Sequence, residues 1–230
     1  LVGSTLDDGA DAIILRAEWR DKSGLRLLLA ATVLKELAGL PFPELTPIHL
    51  RRLGGDYMGL MIRAERLGPA YLKKRGRDPN GDLYEADPPH GLSVPGGNLT
   101  PQPDVSTYAK VYQHHGGVNG YAPLIQLIEG TLQETGEVLY AALSSGFQLD
   151  ALFAYMAAMA AIQNQDHIKK NFYLYRDSDG PDCRWEMLGW DLDLSFGHLW
   201  NPQQELLGEE IISDGNPLVG LKTDNLFYNQ

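Results

Sequence analysis

The sequence predicts an α+β fold, with antiparallel hairpins packed against separate helices. Two segments alternate apolar and polar residues about a tight turn, as hairpins do. Others carry apolar residues at helical spacing. With 230 residues, 43% of them hydrophobic, the chain can bury a core either as one domain over 1–230 or as two small lobes, about 1–105 and 106–230.

The elements follow in order. Residues 24–38, "GLRLLLAATVLKELA", place Leu25, Leu28, Leu29, Leu34 and Leu37 near helical spacing, and Gly39, Pro41 and Pro43 stop that helix. Residues 46–52 and 56–63 form a hairpin around Gly54 and Gly55. "GPAYLKKRG" is a short helix and "GDLYEAD" a short extended piece. Residues 86–104 are rich in Pro and Gly and read as a long loop, a class more often functional or mobile than inert. "YAPLIQLIEGTLQ" is helical, and "FQLDALFAYMAAMAAIQ", apolar nearly all round, reads as a buried central helix. "NFYLYR" and "CRWEMLGW" then flank "DSDGPD" as a second hairpin, with Trp185, Trp190 and Trp200 packing the core around it. There is no internal repeat and no low-complexity tract.

Charge narrows the partners. A formal net charge of -11 repels phosphate backbones and anionic membranes, so nucleic acid and lipid are poor partners. No apolar run approaches the roughly 20 residues of a membrane span. The lone Cys183 excludes an internal disulfide and, on a strand with no charged activator beside it, reads as a small buried apolar residue. A start at Leu1, with no basic leader, reads as a fragment whose upstream strands lie before it.

The second hairpin carries the chemistry. Its strands run antiparallel, so Asn171 faces the region of residues 186–189, Asp166 lies just before one strand and Asp191 just after the other. Asp166, Asn171, Asp191 and Asp193 can therefore meet at the open end. Carboxylates brought together repel and hold protons unless a positive group sits among them, and Mg²⁺ with oxygen ligands is the usual solution. An Asp, an Asn five residues on, a hairpin and another Asp is the logic of a phosphoryl-transfer site. Spacing alone leaves other readings open: Asp166 could end a helix, and Asp191 and Asp193 could be two solvated residues on one face of a strand. "DSDGPD" is a turn rather than a calcium loop, because position 12 would be Leu188 where a bidentate Glu is required. His114 and His115 sit in a Gly-rich turn with no partner at ligand spacing.

"NQDHIKKNFYLYRDSDGPDCRWEMLGWDLDLSFG" resembles the CotH kinase family, atypical protein kinases related to the spore-coat kinases. The family shows an Asp, an Asn followed by "YLY", and a Trp-Asp-x-Asp motif closing on Phe-Gly. Here these are Asp166, Asn171 with "FYLY", and "GWDLDLSFG", with Gly189 where the family commonly has Pro. A second block, "GGDYMGLMIRAERLGPAYLKKRGRDPNGDLYEAD", is similar to the family's other motif through Gly55, Tyr57, Gly59 and Glu65. The resemblance spans roughly residues 18–200 and implies a kinase-like fold that transfers the ATP γ-phosphoryl group to Ser or Thr of a protein, with Mg²⁺ or Mn²⁺. It implies that Asp166 is the base, that Asn171 and Asp191 hold metal with Asp193 as support, and that Glu65 holds a basic residue at the phosphates. It also implies a spore-coat or cell-surface setting. Glu85 stands where the family has Lys, which leaves the phosphate cation to be found among upstream residues or, within the chain, Arg63 and Lys110. Glu85 also motivates an alternative, a catalytically impaired surface or binding module on the same scaffold. A metal-dependent hydrolase built on the Asp cluster is a third reading.

Overall fold

The computed structural model describes residues 12–198, except 19, 22, 89–96, 165, 168, 169, 179 and 181. Trp200 and residues 89–96 of the Pro/Gly-rich loop therefore lie outside the described residues. Strand β1 (Ile13–Arg16) is followed by helix α1 (Leu25–Thr32), which runs into a π-helical turn at Val33–Leu37. Strands β2 (Leu45–Arg51) and β3 (Tyr57–Glu65), helix α2 (Pro69–Lys74) and strand β4 (Asp82–Ala86) come next. After them lie α3 (Val105–Val111), β5 (Tyr112–Gly116), α4 (Ala122–Ile125) with its π and 3-10 continuation to Gln133, α5 (Gly136–Gly146), α6 (Leu149–Ala161), β6 (Phe172–Arg176) and β7 (Trp185–Gly189).

These strands make two sheets with only antiparallel pairing, ordered β1-β3-β2 and β5-β4-β6-β7. The fold is α+β. The larger sheet draws β4 from before residue 105 and β5, β6 and β7 from after it, so a boundary there falls inside one sheet.

Local chemistry explains the first half. The Asp21 carboxylate accepts the Arg26 and Ser23 amides at 2.8 and 3.2 Å, which caps the start of α1. Leu27, Ala30, Ala31 and Leu34 then bury one face, while Leu25 and Leu29 stay more than half exposed. The helix stops where Gly39 turns left-handed at φ 66° and the Leu40 amide reaches back to the Leu34 carbonyl. The β2–β3 hairpin closes through Gly54 and Gly55, both with φ near 110°, a conformation few other residues tolerate.

The larger sheet positions the site. Its side chains alternate between two apolar clusters, as a pleated strand requires. Phe172 and Leu174 of β6 join Tyr84, Ala86, Trp185 and Met187 in the main core, against α1 and α6. Tyr173 and Tyr175 point the other way, to Leu83, Leu188 and the α2 residues Tyr71 and Leu72. Strand β6 is buried on both faces. The second hairpin pairs Phe172 with Gly189, one step from the expected register, so Asn171 lines up with Trp190 instead of residues 186–189.

Several expectations change. Helix α6 is not buried all round: Leu152, Tyr155, Ala158 and Met159 face the core, while Phe153 is 51% exposed. His114 and His115 lie on strand β5, not in a turn, with His114 stacked on Tyr84 at 5.0 Å. Cys183 is exposed in the β6–β7 connection, its thiol 3.2 Å from the Gly180 carbonyl. Among the described residues no helix is long and apolar enough to cross a membrane.

One close approach tests the packing. A Cβ on Gly81, at the start of β4, would lie 2.7 Å from the Arg176 carbonyl oxygen and from the Tyr175 ring. Gly81→Ala must push β4 away from β6. The expected loss is about 1–3 kcal/mol, read as a lower urea midpoint with an unchanged denaturant slope.

Candidate active site

The hairpin mouth is built on Asn171. Its amide donates to the Ala86 carbonyl at 2.9 Å and its carbonyl accepts from Trp190 at 3.1 Å, so its backbone bridges β4 and the end of β7. Its φ of 64° is left-handed, a region Asn enters more readily than most residues. That turn delivers the side chain to Asp166: Nδ2 donates to Oδ2 at 2.9 Å, and lies 3.5 Å from the Asp191 carbonyl oxygen. Asp191 is left-handed too, at φ 52°, so the segment after β7 leaves the sheet immediately. Asp191 and Asp193 therefore do not alternate along a strand; they lie in the turn that follows β7.

Two cations balance these acids. Lys170 Nζ is 2.9 Å from Asp166 Oδ2. Arg16, at the end of β1, donates from Nη2 to Asp191 and from Nε to Glu18 Oε1 at 2.5 Å. The Arg16 guanidinium also lies over the Trp190 ring, 5.6 Å from its centre. Burial opposes its charge, but Asp191 and Glu18 more than compensate and hold Arg16 firmly protonated.

Acid remains in excess. Burial, then the charges of Asp191 and Glu18, push the Asp193 carboxyl up to about 7, against the pull of Arg16, with Asp166 adding a smaller push. Glu18 Oε2 is buried with no hydrogen-bond partner. A crowded oxygen set short of positive charge is one that a hard divalent cation relieves, and Asn171, Asp191 and Asp193 are the donors expected for it. Among the described residues, no three acidic or histidine side chains are already arranged as a metal cage.

Glu65 lies elsewhere, at the end of β3. It takes two bonds from Arg75, at 2.8 and 3.1 Å, with Lys74 Nζ at 3.7 Å. Burial pushes its carboxyl up, but the Arg75 bonds and the Glu44 amide outweigh that and hold it below the usual range. Arg75 is further fixed by the Phe42 carbonyl and by the Tyr71 ring, 3.7 Å beneath it. Arg63 sits on β3 opposite Leu15 and Thr46, and Lys110 is exposed near the end of α3. Glu85 is 2.6 Å from His115 Nε2 and accepts from the Tyr173 hydroxyl, whose proton is held by burial first and by that carboxylate second.

Sequence reasoning thus brought Asp166, Asn171, Asp191 and Asp193 together and missed Arg16, Glu18 and Lys170. The missed signals are short: "IILRAE" is an apolar run ending in Arg-x-Glu, and Lys170 stands four residues after Asp166. A cleft of about 240 Å³ between α1 and the β2–β3 hairpin, walled by Leu25, Leu28, Leu60 and Ile62, reaches the site through Glu18.

The Asp193 carboxyl makes stability depend on pH. Its folded pKa lies above the unfolded value of about 3.9, so the stability it lends is present below that value. It is lost as pH rises through about 7. Asp193→Asn removes that loss. Thermal melts from pH 4.5 to 8 should show the variant gaining on the wild type as pH rises; parallel curves would contradict the crowding.

A family model described as CotH kinase protein matches residues 4–229. No curated protein matches the chain.

Proposed function

The chain belongs to the CotH kinase family, and on that premise we propose that it transfers the ATP γ-phosphoryl group to a Ser or Thr hydroxyl of a protein, with Mg²⁺ or Mn²⁺. The observation that carries the reading is the Asn171 amide, which joins the Asp166 carboxylate to the backbone of Asp191 at the mouth of one hairpin. A base, a metal-holding amide and a metal-holding carboxylate need to share one small volume, because phosphoryl transfer depends on positioning and charge more than on covalent help.

Each residue then has a task. Asp166, held through Oδ2 by Asn171 and Lys170, is oriented to accept the proton of the incoming hydroxyl. Asn171 and Asp191 would hold the metal, with Asp193 in support. A bound Mg²⁺ or Mn²⁺ supplies the charge that neutralises the phosphate oxygens. Arg16 is the cation best placed to meet those oxygens, since its guanidinium already forks between two carboxylates at the same mouth. We add it to Arg63 and Lys110 as a candidate for the phosphate cation.

A second reading, a module that binds but does not transfer, is favoured by Glu85. It presents an acid where a phosphate-facing Lys is expected, though His115 and Tyr173 hold it within the larger sheet. The two readings divide on calorimetry: a transfer enzyme binds ATP in a Mg²⁺-dependent way, whereas a module that has lost the site does not.

Two variants test the roles. Asp166→Ala should lower transfer from labelled ATP to a generic protein acceptor by about 10²–10⁴-fold while nucleotide still binds. Arg16→Met should raise the KM for ATP by about tenfold, roughly the worth of one lost charge-assisted bond. Equal incorporation by wild type and Asp166→Ala would end the kinase assignment.

A further inference from the structure

Asn164, two residues before Asp166, is completely buried. It follows α6 directly, and its four polar groups are all engaged. Its amide donates to the Met159 carbonyl of α6 at 3.1 Å. Its side-chain Oδ1 accepts the Asp166 amide at 3.0 Å, a local turn that fixes the direction in which Asp166 leaves the helix. Its side-chain Nδ2 donates to the Ser195 hydroxyl at 3.0 Å, and its carbonyl accepts from His167 Nδ1 at 3.0 Å. The Ser195 side of this network is also buried, and it belongs to the segment that carries Asp191 and Asp193. A second tie runs parallel to the first: the Phe196 amide donates to the Ile162 carbonyl at 2.6 Å.

We propose that Asn164 is the positioning residue of this site, its two-ended amide setting Asp166 against the segment after β7 through Ser195. The proposal rests on the kinase reading and adds to it the group that keeps base and metal-holding segment in register. The orientation of the amide matters. Oxygen faces the Asp166 N–H and nitrogen faces the Ser195 oxygen, so one side chain meets a donor on one segment and a hydroxyl on the other. Burial stiffens the Ser195 arm, where no water is at hand to replace the bond. His167, held neutral by burial that pulls its pKa down to about 4, closes the far side of the same loop.

Ser195→Ala is the mild test, since it deletes one arm and leaves Asn164 in place. In the full chain the expected result is a fall in kcat of tenfold or more, approaching a hundredfold if the base shifts by about an ångström. The KM for ATP should stay within about twofold, and Ser195→Thr, which keeps the hydroxyl, should restore kcat. Asn164→Ala should behave more severely and also lose hydrogen-exchange protection at the Asp166 amide. That exchange measurement needs no enzymatic turnover, so it reads the positioning role even if the wild type transfers no phosphate. An unchanged kcat in Ser195→Ala, a change confined to KM, or an Asp166 amide equally protected in Asn164→Ala would each overturn the proposal.

Discussion

Asn171 carries the constraint on which the site depends. Its backbone must serve two strands at once while its side chain reaches the Asp166 carboxylate and the Asp191 carbonyl. It does both in a left-handed conformation, which costs some backbone strain. That position is tolerable because β6, which begins at the next residue, is buried on both faces and cannot drift. The sheet provides rigidity, the turn provides direction, and the chemistry of the amide joins Asp166 to the segment after β7.

Charge decides what the mouth can hold. Asp166, Asp191, Asp193 and Glu18 face Arg16 and Lys170, so acid outnumbers base even after the three ion pairs form. The pairs are mostly shielded from water, where attraction is stronger but an unmatched charge is also worse. The structure therefore keeps one carboxyl partly protonated at neutral pH and one carboxylate oxygen without a partner. The Glu65–Arg75 ion pair links β3 to the end of α2, with the Phe42 carbonyl as a further acceptor.

The two hairpins and α1 were legible because their determinants are local. Glycines at the turn, period-two alternation and leucines at helical spacing all act within a dozen residues. The hairpin argument also placed Asp166, Asn171, Asp191 and Asp193 at one end, with an error of one residue in register. Strand β1 was not legible: four residues, no turn signal, and a partner, β3, about fifty residues away. With it went Arg16 and Glu18. Strand β5 was hidden by its composition, since two histidines and a glycine rarely mark a strand, and stacking on Tyr84 is what holds His114 there. Cys183 was misplaced because the connection before β7 is longer than a tight turn. Helix α6 was over-read because alanine counts as apolar yet is small enough to face water without penalty.

Strand β1 is an edge of the smaller sheet, while Asp191 hangs from the larger one. The Arg16 bond is thus a clasp from one sheet to the other. An edge strand has neighbours on one side only and is the easiest to peel away. Peeling it would carry Arg16 and Glu18 off together and leave Asp191 without its cation, so the fraying of this strand and the electrical bias of the mouth are tied to one bond.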